Sequence, residues 1–201
     1  MSPATGEAGM ITRREYQNYA ELAQHEAEGV DYRVTALKVA GSPVAILAPH
    51  GGAIEFMTLE LARSIAGDDH NFYAFEGIAK QDNWRLHITS HRFDEPRALE
   101  LIALCEKVLT VHGLGADLQS LQVGGRDTAL RASVHEALLA AGFKSQITST
   151  GEYAGMEPLN ICNRGKTGAG VQLEINAGLR NSLRDDDSAR GAFVDAVRSA
   201  L

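Results

Sequence analysis

Short apolar runs alternate along the chain with segments whose apolar residues recur at helical spacing. The runs at residues 44–48, 108–112 and 171–175 are continuous, a pattern typical of strands that are buried on both faces of a sheet. Further strand candidates are residues 32–39, 71–76, 85–89, 120–123 and 145–148. The chain therefore contains enough predicted strands for one sizeable sheet.

Helical spacing is clearest after the first buried run, where Ile54, Met57, Leu61 and Ile65 recur every three or four residues. The sequence Asp94-Glu95-Pro96 is typical of a helix start and predicts a helix that continues to about residue 107. Other helices are predicted at residues 12–29, 128–141 and 187–200. Residues 150–170 show no regular period, and such a long loop in a compact domain is usually functional.

The alternation of strands and helices predicts an α/β fold, a three-layer sandwich around a mixed, mostly parallel sheet. Residues 1–10 are small and polar, and we expect them to be disordered. Residues 11–201 are expected to form a single domain. In open α/β sheets, ligands bind beyond the carboxyl ends of the strands, so residues at those ends are the first candidates for a functional site.

The composition and charge limit the function classes. The chain has 201 residues, of which 44% are hydrophobic and 22% charged, so it can bury a substantial core. Its net charge of -7 argues against a nucleic-acid partner. We see no membrane-spanning run, no signal peptide and no disulfide framework, so a cytoplasmic location without a membrane partner is expected. A monomer and an oligomer are both compatible with the sequence.

Two histidines and a glutamate form a candidate set of metal ligands. His50 and His112 each end a buried run and precede glycine, and Glu55 is expected in the first turn of the helix after His50. Catalytic zinc sites commonly use three such ligands and a water molecule. Each histidine alone is also compatible with an ordinary surface or core position. That interpretation is favoured for His25, His70, His135 and His87, the last of which is predicted on the exposed face of a strand.

Glu174 is a carboxylate inside the apolar run at residues 171–175. An unpaired carboxylate is costly to bury. Its side chain could face solvent, pair with an arginine such as Arg180, or act as the general base that takes a proton from an attacking water molecule. The residues alone leave these alternatives open.

Several short segments, spread from about residue 30 to residue 184, occur together in an order that resembles the phage-type poly-γ-glutamate hydrolases. These are zinc peptidases related in fold to the carboxypeptidase A group. The matching segments are residues 48–55, 86–90, 93–96, 111–113, 123–125, 160–165 and 170–175. The resemblance implies one zinc ion per chain, with His50, Glu55 and His112 as ligands and Glu174 as the general base.

The resemblance also implies a site for a substrate carboxylate. Asn163 and Arg164 are similar to the Asn-Arg pair with which zinc carboxypeptidases hold that group, and a guanidinium binds a carboxylate through two parallel hydrogen bonds. Arg126 and Arg180 are further carboxylate-binding candidates. The overall negative charge means that a polyanionic substrate needs a locally positive cleft.

The expected activity is zinc-dependent hydrolysis of γ-glutamyl amide bonds, with poly-γ-glutamate or a related acyl-amino-acid as substrate. One alternative is a zinc amidohydrolase of the same fold that acts on γ-glutamyl bonds of peptidoglycan or on N-acyl-amino-acids. Another is a non-catalytic binding module, although a binding module has no need of the base Glu174. If a phage carries the gene, lysis would release the protein to a polymer outside the cell.

Overall fold

The computed structural model describes residues 15–201, whose strands form one seven-stranded mixed sheet. In chain order the strands are β1 (Tyr32–Leu37), β2 (Val44–Gly52), β3 (Asn71–Gly77), β4 (Lys107–Leu114), β5 (Ser120–Gly124), β6 (Lys144–Ile147) and β7 (Val171–Asn176). Across the sheet they lie in the order β1-β3-β2-β4-β7-β5-β6. β1–β3 and β5–β7 pair antiparallel, whereas the other neighbours pair parallel. The mixed, mostly parallel sheet is thus confirmed.

Helices cover both faces of this sheet. They are α1 (Tyr19–Leu22), α2 (Thr58–Ala66), α3 (Pro96–Ile102), α4 (Thr128–Ala140), α5 (Ala177–Asp185) and α6 (Asp187–Ser199). α2, α4, α5 and α6 share one apolar core with the sheet, and α1 and α3 share the other. Within β2, Ile46 faces the first core and Leu47 the second, as the predicted continuous apolar run requires. The three-layer arrangement is confirmed.

The predicted strand at residues 85–89 is wrong. A 3-10 helix occupies Asn83–Leu86, and an irregular segment follows it. Local hydrogen bonds explain the difference, since the Asn83 amide bonds both backbone groups of Ala79, and the Arg85 guanidinium donates to the Gln81 carbonyl. These bonds satisfy the backbone within the turn, so the segment has no need of a partner strand.

Several predicted helix boundaries also differ. The helix expected at residues 12–29 is reduced among the described residues to α1, and α3 ends at Ile102 instead of near residue 107. α2 begins at Thr58 and not at Ile54, because Met57 adopts a left-handed conformation with a φ of 69°. α5 had not been predicted. The disorder expected at residues 1–10 and the start of the helix at residue 12 lie outside the described residues.

No helix in the described part of the chain combines the length and the apolar character needed to cross a membrane.

Candidate metal centre and its cavity

β2 departs from regular pairing where His50 lies. The register with β3 shifts between Ala48 and Gly51, and Pro49 has no N–H to donate to a neighbouring strand. Gly52 has a φ of 65°, and a Cβ atom there would lie 2.7 Å from a backbone oxygen of β3. Only glycine suits both conditions, so the sequence allows a sharp turn directly after His50.

This turn returns the chain so that Glu55 faces His50. The Glu55 N–H donates to the His50 carbonyl at 2.9 Å, and Oε1 of Glu55 lies 3.1 Å from Nδ1 of His50. The other carboxylate oxygen accepts a 2.8 Å hydrogen bond from the N–H of Gly113. The expectation that Glu55 lies in the first turn of the helix is wrong, since the left-handed Met57 separates it from α2.

β4 brings the third predicted ligand to the same point. Nδ1 of His112 lies 3.2 Å from Nδ1 of His50 and 3.8 Å from Oε2 of Glu55. All three side chains are buried, and one ligand atom from each lies within 4.8 Å of the others. The fold thus brings together, near the carboxyl ends of two parallel strands, residues that are far apart in the sequence.

The hydrogen bonds of the two imidazoles favour a cation between them. Nε2 of His50 lies 2.8 Å from the carbonyl oxygen of Ile88. Since a carbonyl only accepts, this nitrogen carries the proton and Nδ1 presents a lone pair. Nε2 of His112 lies 3.2 Å from Oγ1 of Thr110, which allows the same tautomer. Two lone pairs and a carboxylate then converge, and this donor set fits a divalent metal ion.

Burial sets the protonation state of these ligands. It lowers the pKa of His112 to about 3, so this imidazole is neutral at neutral pH. Burial alone would raise the pKa of Glu55, but the facing imidazoles of His50, His87 and His112 hold it below its usual range. A neutral imidazole and an ionised carboxylate are the forms that bind metal.

Glu174 lies beside the cluster on the neighbouring strand. It is the register partner of His112 in the β4–β7 pair, and it is buried. The Gln172 amide donates to Oε1 of Glu174 at 3.0 Å and also to the Tyr153 carbonyl at 3.0 Å. The oxygen of that amide accepts a 2.8 Å hydrogen bond from Asn160. A chain of buried amides therefore fixes the orientation of the carboxylate.

The surroundings of Glu174 favour its protonated form. Burial raises its pKa well above the usual value, and the charges of Glu55 and Glu152 act in the same direction. The charge of Arg180 opposes them. A carboxyl group with a raised pKa accepts a proton more readily than an ordinary glutamate, which suits acid-base chemistry.

These side chains border a cavity of about 330 Å³. Four carboxylates line it, together with imidazoles, polar groups and small or apolar residues. The lining includes His50, Glu55, His87, His112, Leu114, Gly115, Glu152, Tyr153, Glu157, Gln172 and Glu174. No lysine or arginine belongs to this lining among the described residues. The described lining itself therefore contributes no lysine or arginine charge to offset its four carboxylates.

Arg180 ties together the segments that carry the cluster. It donates to the carbonyl oxygens of Phe56, Leu114 and Ile175, which lie close in sequence to Glu55, His112 and Glu174 respectively. The guanidinium is buried against Gly113, where a Cβ atom would lie 2.5 Å from Cζ of Arg180.

Arg180 is absent from the cavity lining, and its predicted role in binding a substrate carboxylate stays a prediction.

The other predicted substrate ligands lie outside the cavity. The amide nitrogen of Asn163 donates to the carbonyls of Gly155 and Glu157, and its oxygen accepts from the N–H of Arg126. These bonds shape the long loop. Arg164 is half-buried and the Arg126 side chain is exposed, and neither residue borders the cavity. Their roles in recognition stay predictions.

His87 belongs to the site but had been predicted on an exposed strand face. Its ring lies 4.0 Å from that of His50 and stacks at 4.4 Å on Trp84, between ring centroids. Its Nε2 is 3.6 Å from Oε1 of Glu55. The alternation of Leu86, His87 and Ile88 favoured a strand, and only the presence of His87 in a segment of the family resemblance indicated a role.

A buried His–Glu–His cluster at the carboxyl ends of the strands of an α/β sheet lies where such sheets bind ligands, and it can hold a metal ion. The chain belongs to the poly-gamma-glutamate hydrolase family, whose model matches residues 16–194. The resemblance found in the sequence is thereby confirmed.

Known relatives support the same assignment. The UPF0714 protein YndL of Bacillus subtilis (strain 168) is 43% identical over 169 residues, which are 84% of this chain and 66% of YndL. The chain thus spans slightly less than two thirds of that relative.

Two solved structures share the fold. A bacteriophage poly-gamma-glutamate hydrolase superposes with a TM-score of 0.85 at 30% identity, covering 92% of this chain and 95% of that chain. The zinc-free form of YndL superposes with a TM-score of 0.86 at 37% identity, covering 92% and 96% respectively. These matches confirm the α/β fold class.

Proposed function

We propose that this protein is a zinc-dependent amidohydrolase that cleaves γ-glutamyl amide bonds, with poly-γ-glutamate as its substrate. One zinc ion per chain is held by His50, Glu55 and His112. The observation that carries the proposal is the convergence of two imidazole nitrogens and a carboxylate within 4.8 Å in a buried position. Membership of the poly-gamma-glutamate hydrolase family supplies the substrate class.

The choice of zinc is supported by the ligand types. Imidazole nitrogens and a single carboxylate suit zinc, whereas calcium and magnesium prefer oxygen ligands. The backbone carbonyl that holds His50 is the kind of outer partner that metal-binding histidines commonly have. The relative YndL has been described in a zinc-free form, which is consistent with zinc as the natural ion.

A zinc ion held there would polarise the scissile carbonyl and activate a water molecule for attack. Glu174 then takes the proton of the attacking water and returns it to the leaving amine. Gln172 keeps the accepting oxygen of Glu174 in place through its 3.0 Å hydrogen bond. Glu174 thus supplies the proton transfer, and its raised pKa suits both halves of the step.

Recognition of the polymer requires groups that bind its free carboxylates. We retain Asn163, Arg164, Arg126 and Arg180 as proposed carboxylate ligands because the family resemblance points to them. In the present conformation both donors of the Asn163 amide already bond backbone carbonyls. Binding through Asn163 therefore requires a rearrangement of the long loop.

The activity is tested by incubating the zinc-loaded protein with poly-γ-glutamate and following the chain length of the polymer. We expect the γ-linked polymer to shorten and an α-linked polyglutamate to stay intact. Glu174→Gln should keep zinc and lower kcat by about 10²- to 10⁴-fold. The matched control Glu60→Gln changes an exposed carboxylate on α2 and should retain wild-type activity. Near-normal turnover by Glu174→Gln would show that another group is the base.

The metal assignment is tested separately by elemental analysis of the purified protein. We expect one zinc per chain, loss of zinc in His112→Ala, and full zinc in the control His25→Ala, which alters an exposed histidine. Full occupancy in His112→Ala would remove His112 from the ligand set.

Cleavage of peptidoglycan γ-glutamyl bonds or N-acyl-amino-acids, but not of the polymer, would contradict the substrate while leaving the hydrolase class intact. The cytoplasmic location stays a prediction.

A further inference from the structure

A row of paired residues leads from the candidate metal centre to the edge of the sheet. His112 on β4 pairs with Glu174 on β7, Glu174 pairs with Gln122 on β5, and Gln122 pairs with Gln146 on β6. Side chains of directly paired residues project from the same face of a sheet. The two glutamines therefore continue the line of functional groups away from the cluster.

A second cavity of about 510 Å³ lies along this row. It shares Leu114, Gly115 and Tyr153 with the first cavity, so the two are contiguous. Gln122 and Gln146 are among its lining residues. The two cavities lie next to each other, at the carboxyl end of β4 and the polar face of β5 and β6.

The second cavity has a charge opposite to that of the first. Among residues 15–201, Lys144 at the start of β6 is the one charged residue that lines the second cavity. The first cavity is lined by four carboxylates. Lys144 is exposed, and its ammonium group has no hydrogen-bond or ion-pair partner in that same range. An exposed cation without an internal partner, facing a cavity, is available to an anionic ligand.

The amides beside Lys144 are oriented for a polar chain. Oε1 of Gln122 accepts a 2.8 Å hydrogen bond from Thr148, which leaves the amide nitrogen of Gln122 free to donate. Each residue of a γ-linked glutamate chain presents one main-chain amide and one α-carboxylate. Amide donors together with an ammonium group match both of these. Neighbouring strands lie about 4.8 Å apart, so β6 is about 10 Å from β7, within reach of a few such residues.

We propose that the polar face of β5 and β6 binds γ-glutamyl residues next to the cleaved bond, and that Lys144 binds an α-carboxylate of the polymer. This inference rests on the proposed function for its substrate class. It accounts for how an acidic protein with a carboxylate-rich first cavity can hold a polyanion. Lys144 is thereby a specificity-determining residue that distinguishes long chains from short γ-glutamyl compounds.

The test compares Lys144→Gln, Lys144→Glu and Lys144→Arg with Lys80→Gln, which removes an exposed lysine outside both cavities. Lys144→Gln removes one charged hydrogen bond to the polymer. We therefore expect its KM for the long polymer to rise about tenfold. We expect a larger rise in Lys144→Glu, wild-type KM in Lys144→Arg and Lys80→Gln, and kcat within about twofold in all four. KM for a γ-glutamyl dipeptide should stay unchanged.

Binding of a long fluorescent poly-γ-glutamate to the zinc-loaded Glu174→Gln protein, with and without each Lys144 change, gives a readout that does not need cleavage. If Lys144→Gln and Lys144→Glu have the same KM and polymer affinity as Lys80→Gln, the proposed binding of γ-glutamyl residues on β5 and β6 (the subsite) is refuted. The proposed hydrolase activity is not affected by that result. If the protein binds the polymer through Lys144 but never cleaves it, the subsite stands and the proposed function fails. If it neither binds nor cleaves the polymer, both are refuted.

Discussion

The Gln172 amide donates a 3.0 Å hydrogen bond to the carboxylate of Glu174, two residues along the same strand. The two side chains share a face of β7, as residues at i and i+2 in a strand must. Gln172 is itself fixed by Asn160 and by the Tyr153 carbonyl. The orientation of the proposed base therefore depends on the long loop at residues 150–170 as well as on the sheet.

Gln172→Leu removes this donor while keeping a similar volume. A hydrogen bond to an ionised carboxylate favours the ionised form, so its loss raises the pKa of Glu174 further. We expect kcat to fall about tenfold, and the acidic limb of the kcat–pH profile to move to higher pH. The control Gln119→Leu alters an exposed glutamine that bonds Ser182. A lower kcat with an unmoved acidic limb would mean that Gln172 only packs the strand.

Thr110→Val tests the outer support of a proposed ligand. The Thr110 hydroxyl lies 3.2 Å from Nε2 of His112, and valine keeps the shape of the side chain without the hydroxyl. Loss of such a partner typically weakens metal affinity by about 10- to 100-fold. We expect a higher Kd for zinc in a competition assay with a chelator, and a wild-type kcat at saturating zinc. Unchanged affinity would show that the hydroxyl does not support His112.

The metal-free protein should reveal the cost of ionising Glu174. Burial, and then the charges of Glu55 and Glu152, raise the pKa of this carboxyl in the folded state. The folded protein therefore holds this proton more tightly than the unfolded chain does. The stability from Glu174 is complete below the usual glutamate pKa and is lost as pH rises towards the raised value.

The Glu174→Gln variant has no ionisable group at this position, so it does not lose stability in this way as pH rises. We expect the Tm of the variant minus that of the wild type, both without metal, to be smallest near pH ~4 and to grow towards pH ~8. Glu60→Gln, at an exposed glutamate on α2, is the matched control. Thermal unfolding in a chelating buffer measures both, and a pH-independent difference for Glu174→Gln would mean that Glu174 titrates alike in the folded and unfolded states.

Gly113→Ala tests the close approach of Arg180 to β4. A Cβ atom there would lie 2.5 Å from Cζ of the guanidinium, which must move and give up carbonyl partners. Overpacking of this kind costs about 1–3 kcal/mol in the free energy of unfolding. Gly191→Ala is the matched control, because nothing lies within 4 Å of a Cβ atom at that site in α6. The control should gain about 0.4–1 kcal/mol. Denaturant unfolding measures the free energy of unfolding of both variants. Equal values for Gly113→Ala and Gly191→Ala would show that the close approach of Arg180 to Gly113 does not limit stability.

The central strands could be predicted from the sequence because each is buried on both faces. β2, β4 and β7 have continuous apolar runs that are too short for a typical helix and are flanked by turn residues, which favours strands. The same runs placed His50 and His112 at strand ends and Glu174 inside a strand. The prediction that these side chains converge needed only the rule that parallel strands present their carboxyl ends together.

Other features depend on contacts that local patterns do not encode. α5 follows β7 without a break, and its only large apolar residues are Leu179 and Leu183, so the segment offers few apolar positions from which a helix could be predicted. The alternation around His87 looks like a strand, yet the hydrogen bonds of Asn83 turn that segment into a 3-10 helix. The partners of Arg180 are distant in the sequence, so its position against three backbone carbonyls could not be predicted.

The position of Arg180 bears on how the protein would acquire the proposed zinc ion. Because the Arg180 guanidinium bonds the backbone of all three segments around the cluster, we expect these segments to hold their positions before the cation binds. The chain should thus fold first and load later, unlike small zinc domains that collapse only around their metal. Removal and rebinding of zinc would then be reversible. Binding would cost little conformational entropy of the protein, because the ligand residues are already in place.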